Sequence, residues 1–502
     1  MLHLKRALNQ FPAPNRAERA KGVGPERTIE RVRVDSTTGR DAEQVLAPGL
    51  GVDVRHAANR PASRRRTRRG WALDFAAVAL LAVLARLPWA LLVHGGATSD
   101  SYFYYLSARS ISEGHGYSIM GHPTAFFPVG WPAFIAGLFA VVGPSFAAIK
   151  AANLVLWALS AGLAYALGRR LGGRAVGLVS GVLVAVAPTM TPYVMRASSE
   201  ALFIPLLLTV CLLLAKMDGA TPSLPRTALA GVLLGLAILV RSTATLLPLI
   251  LPLWLLLRRP LRESWRSAVL LAVVSVLVLV PWAARNAAVM HTFGLSTNGG
   301  YTIWIGANPK ATGGFRIHGQ HHPRWASLSA TAETNQNSTL LRESVSYVTE
   351  HPLDWLSLIP AKFGKLMAWG PGPFSNELIG QRGPDPQRGR YRRHLSGAEA
   401  TLIKGSLHHL WLYKLWHYAY WILGGIALML ATRRRLPGAG LAALLVGFWI
   451  VFHVVLVHGE ARYMLSVEPL VAPALAWLLV ERARRAVALV PRRTRADRPT
   501  TS

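Results

Sequence analysis

Apolar runs follow one another through this chain, and the breaks between them are short and basic. "AVLLAVVSVLVLVPWAARN" (268–286) is one such run, without an acidic residue along its length. A stretch of roughly 20 apolar residues is what a helix needs to cross the hydrocarbon of a bilayer. A helix also satisfies its own backbone there, where water cannot. Repetition of such runs therefore constrains the chain to an all-α, polytopic integral membrane fold.

The basic clusters set the direction of each crossing, because Lys and Arg are retained on the cytoplasmic side. "RRRTRR" (64–69) places the start of the first span, 71–93, inside. "AFFPVGWPAFIAGLFAVVGP" (125–144) is short, broken by Pro128 and Pro132, and is expected along the membrane surface. Spans at 146–168, 175–190 and 201–216 follow, with "RRLGGR" (169–174) inside. The run 228–259 is too long for one crossing and is read as a short hairpin with Arg241 at its outer tip. Spans at 268–286, 416–431, 438–457 and 464–481 complete a bundle of about ten transmembrane helices. "TRRRL" (432–436) and "ERARR" (481–485) then also fall inside, and both termini are cytoplasmic.

This topology divides the chain. Residues 1–70, rich in Arg, Pro, Gly and Ala, are expected to be a disordered basic cytoplasmic segment. Residues 71–286 form a membrane module whose first outer loop is 94–145. Residues 287–415 are a large extracytoplasmic insert, with Gly/Asn-rich turns at 296–315 and an amphipathic helix candidate at 351–371. Residues 416–481 are the C-terminal membrane helices, and 482–502 are a cytoplasmic tail. No internal repeat is visible, which counts against a secondary transporter.

The net charge of +31 raises the question of nucleic acid. Its distribution in short clusters between spans answers it: these are retained loops, and no nucleic-acid-binding module is present. The single cysteine, Cys211, lies within an apolar run, so neither a disulfide nor a cysteine zinc site can form.

Ionisable groups at membrane depth are costly and mark function by default. On the outer side these are Asp100, Glu200, Arg241, Arg285, Glu460 and Arg462, with Lys362 and Lys365 on the amphipathic helix. Asp100 reads first as the N-cap of a helix ending near Gly114; a carboxylate at the membrane boundary, its proton affinity raised by desolvation, can also act as a general base. Tyr102, Phe103, Tyr104 and Tyr105 beside it have the composition of an interfacial aromatic belt. Glu200 opens an inward-running span, where the helix dipole favours a carboxylate. Arg241 stands between "AILV" and "TATLL" and needs an anion or a water-filled site. Arg462 is placed to pair with Glu460 or with a ligand phosphate, which an Arg fork suits. Arg285 reads as an interface anchor. The histidines of "HGQHH" (318–322) lack an acidic partner at ligand spacing and read as a solvated loop. There is no P-loop, no G-x-G-x-x-G after a strand and no D-x-D pair, so no metal and no cofactor is indicated and a cytosolic nucleotide is not the direct substrate.

Several segments taken together resemble one family. "SDSYFYYLSARSISEGHGYSIMGHPTAFFPVGWPAFIAGLFAVVG" (99–143) is similar to the first outer loop of GT-C type membrane glycosyltransferases. Family 39, with the protein O-mannosyltransferases and the lipid A aminoarabinose transferases, is the nearest group. "MRASSEALF" (195–203), "GLAILVRSTATLLP" (235–248), "VPWAARN" (280–286), "GANPKATGGF" (306–315) and "EARYMLSVEP" (460–469) follow in the family's order, over roughly residues 71–481. The resemblance implies a polyprenyl-phosphate sugar donor, an acceptor on the outer face (protein, glycan or lipid) and inversion at the anomeric centre. It places the catalytic base at Asp100 and the second outer-loop acid at Glu200. Arg241, Arg462 and Lys362 would hold the phosphate, and Tyr104 would pack on sugar or prenyl chain. Many members carry a second acid directly after the first, where this chain has Ser101. Two other functions fit a polytopic chain: a flippase for lipid-linked sugars, and a non-catalytic membrane scaffold.

Overall fold

The structure, a computed structural model, describes residues 60–93, 100–215, 223–316, 329–369 and 397–489. Most of the basic N-terminal segment, the "HGQHH" run and the last part of the tail lie outside the described residues.

Each of the ten expected spans is a helix. α1 runs Arg60–Leu92, and the short α2 (Asp100–Ser112) and α3 (Gly130–Val142) follow it. Next come α4 (Phe146–Gly172), α5 (Arg174–Ala185), α6 (Glu200–Ala215), α7 (Leu224–Val240), α8 (Leu247–Arg258) and α9 (Leu261–Met290). The insert contributes α10 (Gly299–Gly306), α11 (Ala330–Glu350), α12 (Pro352–Met367) and α13 (Gly397–His408). α14 (Leu410–Arg433), α15 (Ala439–Val455), the single turn α16 (Ala461–Met464) and α17 (Glu468–Leu489) close the chain. Strands β1 (Ser118–Ile119) and β2 (His122–Pro123) pair antiparallel as a small hairpin between α2 and α3.

Among the described residues four helices are long and apolar enough to cross a membrane: Gly70–Leu92 within α1, α4, α9 and α14. Six shorter apolar helices accompany them. On α9, Val269, Val273, Val276, Leu277 and Val280 are exposed along one stripe at helical spacing. An uncovered apolar stripe of this kind is stable only against lipid or protein, and here it suits the bilayer. The fold is thus all-α and membrane-embedded.

Close packing inside the bundle relies on small residues, since lipid offers no hydrophobic drive between helices. In "GVLLG" (231–235), Gly231 and Gly235 lie one above the other on α7 and face α9. A Cβ at Gly235 would stand 2.6 Å from the Cβ of Val278 and 2.7 Å from the carbonyl of Ser275. α4 packs on α5, α6 and α17, while α8 packs on α9.

Several boundaries depart from the sequence reading, among them α9, which begins at Leu261 rather than 268, and α17, which runs Glu468–Leu489 rather than 464–481. α1 begins at Arg60, so the "RPASRRRTRRG" end of the supposedly disordered segment is helical; Ala and Arg favour helix and here extend an anchored span. α5 stops at Ala185, short of 190, before Pro188 and Pro192. There the buried Arg86 of α1 donates to the carbonyls of Val184, at 3.1 Å, and Ala185. Its guanidinium ends α5 as a C-terminal cation cap. α14 starts at Leu410, six residues before the expected 416. The "STNGGYTIW" stretch, expected as turns, contains α10. A Cβ at Gly300 would stand 2.0 Å from the Asn337 carbonyl oxygen, so α10 exists by docking on α11. The amphipathic helix expected over 351–371 is α12.

Candidate functional site

Most of the ionisable residues singled out in the sequence converge at one end of the bundle. Asp100 is the first residue of α2, and Glu200 is the first of α6. Arg241 caps the end of α7, and Glu460 and Arg462 flank the entry to α16. A helix N-terminus favours each carboxylate where it stands.

Two ion pairs define the geometry. Arg462 Nη1 donates to Asp100 Oδ2 at 2.7 Å, and both side chains are about a quarter exposed. Its Nε lies 3.3 Å from Glu460 Oε1. Deeper in, Arg241 Nη1 lies 2.7 Å from Glu200 Oε1 and donates to Ser199 Oγ at 3.0 Å. Ser198 donates to the other oxygen of Glu200. Burial alone would raise the Glu460 carboxyl; the Arg462 guanidinium and then His458 outweigh it and hold it down to about 2. Arg462 therefore stays matched by negative charge at any working pH.

Ser101, where the resemblance led one to expect a second acid, ties two segments together. It is buried, and its hydroxyl donates to the carbonyl of Ala197 at 3.1 Å. This bond ties the start of α2 to the "RASSE" loop that carries Glu200. Asn153 of α4 holds the same loop from the other side, donating to the carbonyls of Val194 at 3.0 Å and Arg196 at 2.7 Å.

Tyr104 turns inward and its ring lies 4.8 Å from that of Phe127. Burial, and then the carboxylates of Asp100 and Glu200, push its phenol upward, which places the hydroxyl in the field of both acids. Phe103 stacks on Phe127 at 6.4 Å and Tyr105 meets Phe139 of α3 edge-on at 5.3 Å. These rings anchor α2 on α3 and the loop before it.

The insert is docked onto the loop between α15 and α16 by three glycines. A Cβ at Gly306 would stand 1.8 Å from the Val457 carbonyl oxygen, and one at Gly459 would stand 1.9 Å from that of Lys362. Gly459 donates its amide to Gly313 at 2.8 Å. The backbone of Lys362 is thereby held one residue from Glu460. Its side chain is fully buried, and its ammonium has no hydrogen-bond partner among the described residues. Burial lowers it to about 8. Lys365 shares this helix, and its stem lies over Gly314.

Arg285 sits apart from the cluster. It donates to the carbonyls of Thr124 at 2.8 Å and Tyr117 at 2.9 Å, clamping the first outer loop to α9. Glu333, which sequence reasoning missed, clamps the same loop from α11. It accepts from Thr124 Oγ1 at 2.7 Å, from the amide of Ala125 at 3.0 Å and from Thr297. Its sequence context is polar, so nothing local marks it. Arg86, also missed, carried a legible signal: an arginine between "LLAVLA" and "LPWALL". Among the described residues no three of His, Cys, Asp and Glu gather as a metal site requires.

Residues 126–284 match the family model described as dolichyl-phosphate-mannose-protein mannosyltransferase. Glu200 and Arg241 fall within this segment, while Asp100, Lys362 and Arg462 lie beyond it. Among solved structures the chain is similar to ArnT from Cupriavidus metallidurans bound to undecaprenyl phosphate, with 14% identity and TM-score 0.49, over 84% of this chain and 62% of that one. It is also similar to the archaeal oligosaccharyltransferase AglB from Archaeoglobus fulgidus in complex with an inhibitory peptide and a dolichol-phosphate, with 13% identity and TM-score 0.45, over 85% of this chain and 52% of that one. The chain thus spans about three fifths and one half of these proteins. No curated protein sequence matches it. The resemblance to GT-C type membrane glycosyltransferases, first visible in the ordered motifs, holds in the mannosyltransferase family match across 126–284.

Proposed function

We propose that this chain is a membrane glycosyltransferase that moves a sugar, hexose or pentose, from a polyprenyl phosphate to an acceptor at the outer face. The observation that carries the reading is the Asp100–Arg462 pair set beside the Glu200–Arg241 pair. A carboxylate and several cations at one bundle end are what the reaction asks for. An acceptor hydroxyl attacks the anomeric carbon from the face opposite the phosphate. Asp100 takes its proton, the carbon–oxygen bond to phosphate breaks, and the lipid phosphate leaves with the electron pair. The anomeric centre inverts.

The arginines are the electrostatic part of this scheme, because charge grows on the departing phosphate. Arg462 holds Asp100 in place and turns toward the phosphate once donor binds. Arg241 answers Glu200, which orients acceptor or sugar. Lys362, buried over the Trp355 ring at 5.7 Å, has no anion beside it among the described residues, and the donor phosphate would supply one. Tyr104 supports both acids from beneath. The outer-face assignment rests on the arginines at the other bundle end, which the positive-inside rule keeps cytoplasmic together with both termini.

The test uses membranes containing the full chain and a labelled polyprenyl-phosphate sugar. Wild type transfers label, and Asp100→Asn loses roughly 10²–10⁴-fold in rate at equal protein level, the range for a positioned general base. Transfer at the wild-type rate by Asp100→Asn overturns the base assignment. Movement of intact lipid-linked sugar across the bilayer without transfer would favour the flippase.

A further inference from the structure

A cleft of about 410 Å³ opens at the bundle end away from Asp100. It lies where α8 hands over to α9 and α14 to α15, and its lining includes Trp254, Arg258, Arg259, Thr432, Arg435 and Gly440. α15 separates it from the loop of Glu460 and Arg462; its 17 residues span about 25 Å. No catalytic candidate touches it.

Three features of the lining point to an anion. First, Arg258, Arg259 and Arg435 converge without an acidic partner: none makes a side-chain hydrogen bond or ion pair among the described residues. Second, the indole N–H of Trp254 and the hydroxyl of Thr432 are buried and have no hydrogen-bond partner among the described residues. An indole N–H can only donate, so this pair lacks an acceptor, and leaving buried donors unmet is costly. Third, the wall is shaped for the guanidinium. A Cβ at Gly440 would stand 2.2 Å from Arg258 Nη2, so the guanidinium lies directly on the bare glycine and any larger residue would have to displace it. Arg435 is held at φ 55, a left-handed conformation that a non-glycine residue adopts at a cost.

We propose that this cleft binds the phosphodiester headgroup of an anionic membrane lipid. Phosphate oxygens meet three guanidiniums and two orphan donors at once, which is the bidentate geometry Arg favours. The position selects a lipid over a soluble anion. Trp254 belongs to a membrane helix, and the apolar crevice sharing Pro437, Gly438 and Leu441 with the cleft has only about 20 Å³ of room. The crevice is too small for an acyl chain, so the tails stay in the bilayer and the cleft reads the headgroup alone. Basic pockets between helices on the cytoplasmic side commonly take acidic lipid in this way. The inference does not depend on the sugar-transfer reading.

The test is native mass spectrometry of the full chain in detergent, titrated with phosphatidylglycerol and, separately, with phosphatidylcholine. Wild type retains phosphatidylglycerol in preference. The variant R258Q/R259Q/R435Q loses at least about tenfold in apparent affinity, given what each basic residue contributes near an anionic lipid. The control R482Q/R484Q/R485Q removes equal charge from the end of α17 and retains the lipid. Equal retention by wild type and the cleft variant overturns the proposal, as does equal loss in the control. Displacement of the lipid by an equal concentration of inorganic phosphate overturns the lipid assignment. An unchanged melting temperature in the cleft variant separates lost binding from lost folding.

Discussion

Two clusters at opposite ends of the bundle have the same ingredients and opposite economies of bonding. At one end Asp74 of α1 accepts from Arg174 Nε and Nη2, both at 2.8 Å, and from the Tyr165 hydroxyl at 3.1 Å. Arg169 lies behind at 3.8 Å. The carboxylate is nearly saturated by a fork-on-fork pair, which locks α1 to α4 and α5. At the other end Asp100, Glu200, Arg241 and Arg462 pair through single contacts. Arg241 Nε is buried there without a hydrogen bond among the described residues, and Arg462 Nε meets Glu460 Oε1 only as a 3.3 Å ion pair. A saturated cluster holds structure. An unsaturated one keeps donors in reserve for a ligand, at a standing cost in stability.

The contrast is sharpest in paired substitutions. Asp100→Asn should abolish transfer by the 10²–10⁴-fold already given, with little change in melting. Asp74→Asn should do the reverse: normal transfer per folded molecule, and a lowered melting temperature from losing the fork-on-fork contact with Arg174, whose own side chain is largely exposed. If both variants lose activity equally at equal fold, the distinction between the two ends fails.

A second expected effect concerns docking of the insert. Gly459→Ala forces a Cβ against the Lys362 carbonyl oxygen, where 1.9 Å is available. The insert must lift off, so transfer should fall by more than tenfold while the membrane helices persist in circular dichroism. Retained transfer would mean that the insert does not complete the site.

The third is a pH effect at Lys362. Its folded value of about 8 lies below the usual 10.5. Between these values the unfolded chain binds more protons than the folded one, so stability rises with pH across that window. Donor affinity should move the other way, falling as pH passes about 8 and the ammonium loses its charge. Lys362→Met should flatten both profiles, weaken donor binding and raise the melting temperature of the unliganded chain, since it removes an unpaired buried charge. A donor-affinity profile in wild type that is flat across pH 8 would remove Lys362 from the site.

The smallest concerns the residue after Asp100. Ser101→Ala should cost about 1 kcal/mol, the net worth of its bond to Ala197. Ser101→Asp, which restores the second acid of related enzymes, should lower stability and give no gain in transfer, because the position is buried and faces a carbonyl. A faster Ser101→Asp enzyme would show that the loop can accommodate two acids after all.

The sequence, by itself, determined the helices and the ends at which the charges sit. Apolar length and basic punctuation are local properties, so a helix at each of the ten expected positions, the break at Arg241 and the α12 helix were legible in it. Candidate residues were legible too, because a charge beside apolar neighbours is visible without any fold. Helix limits shifted where a distant side chain decided them: Arg86 caps α5 from α1, across 99 positions to Ala185. Only the tertiary structure decided which charges meet. Asp100 and Arg462 are 362 positions apart and joined at 2.7 Å, and no local pattern encodes that closure. It also decided that Ser101 ties two loops together, that Glu333 clamps the loop between α2 and α3 and that the Lys362 ammonium is buried over the Trp355 ring with no hydrogen-bond partner among the described residues. The physical reason is the same throughout. Backbone satisfaction in a membrane is met within each helix, while side-chain charge is balanced only between helices.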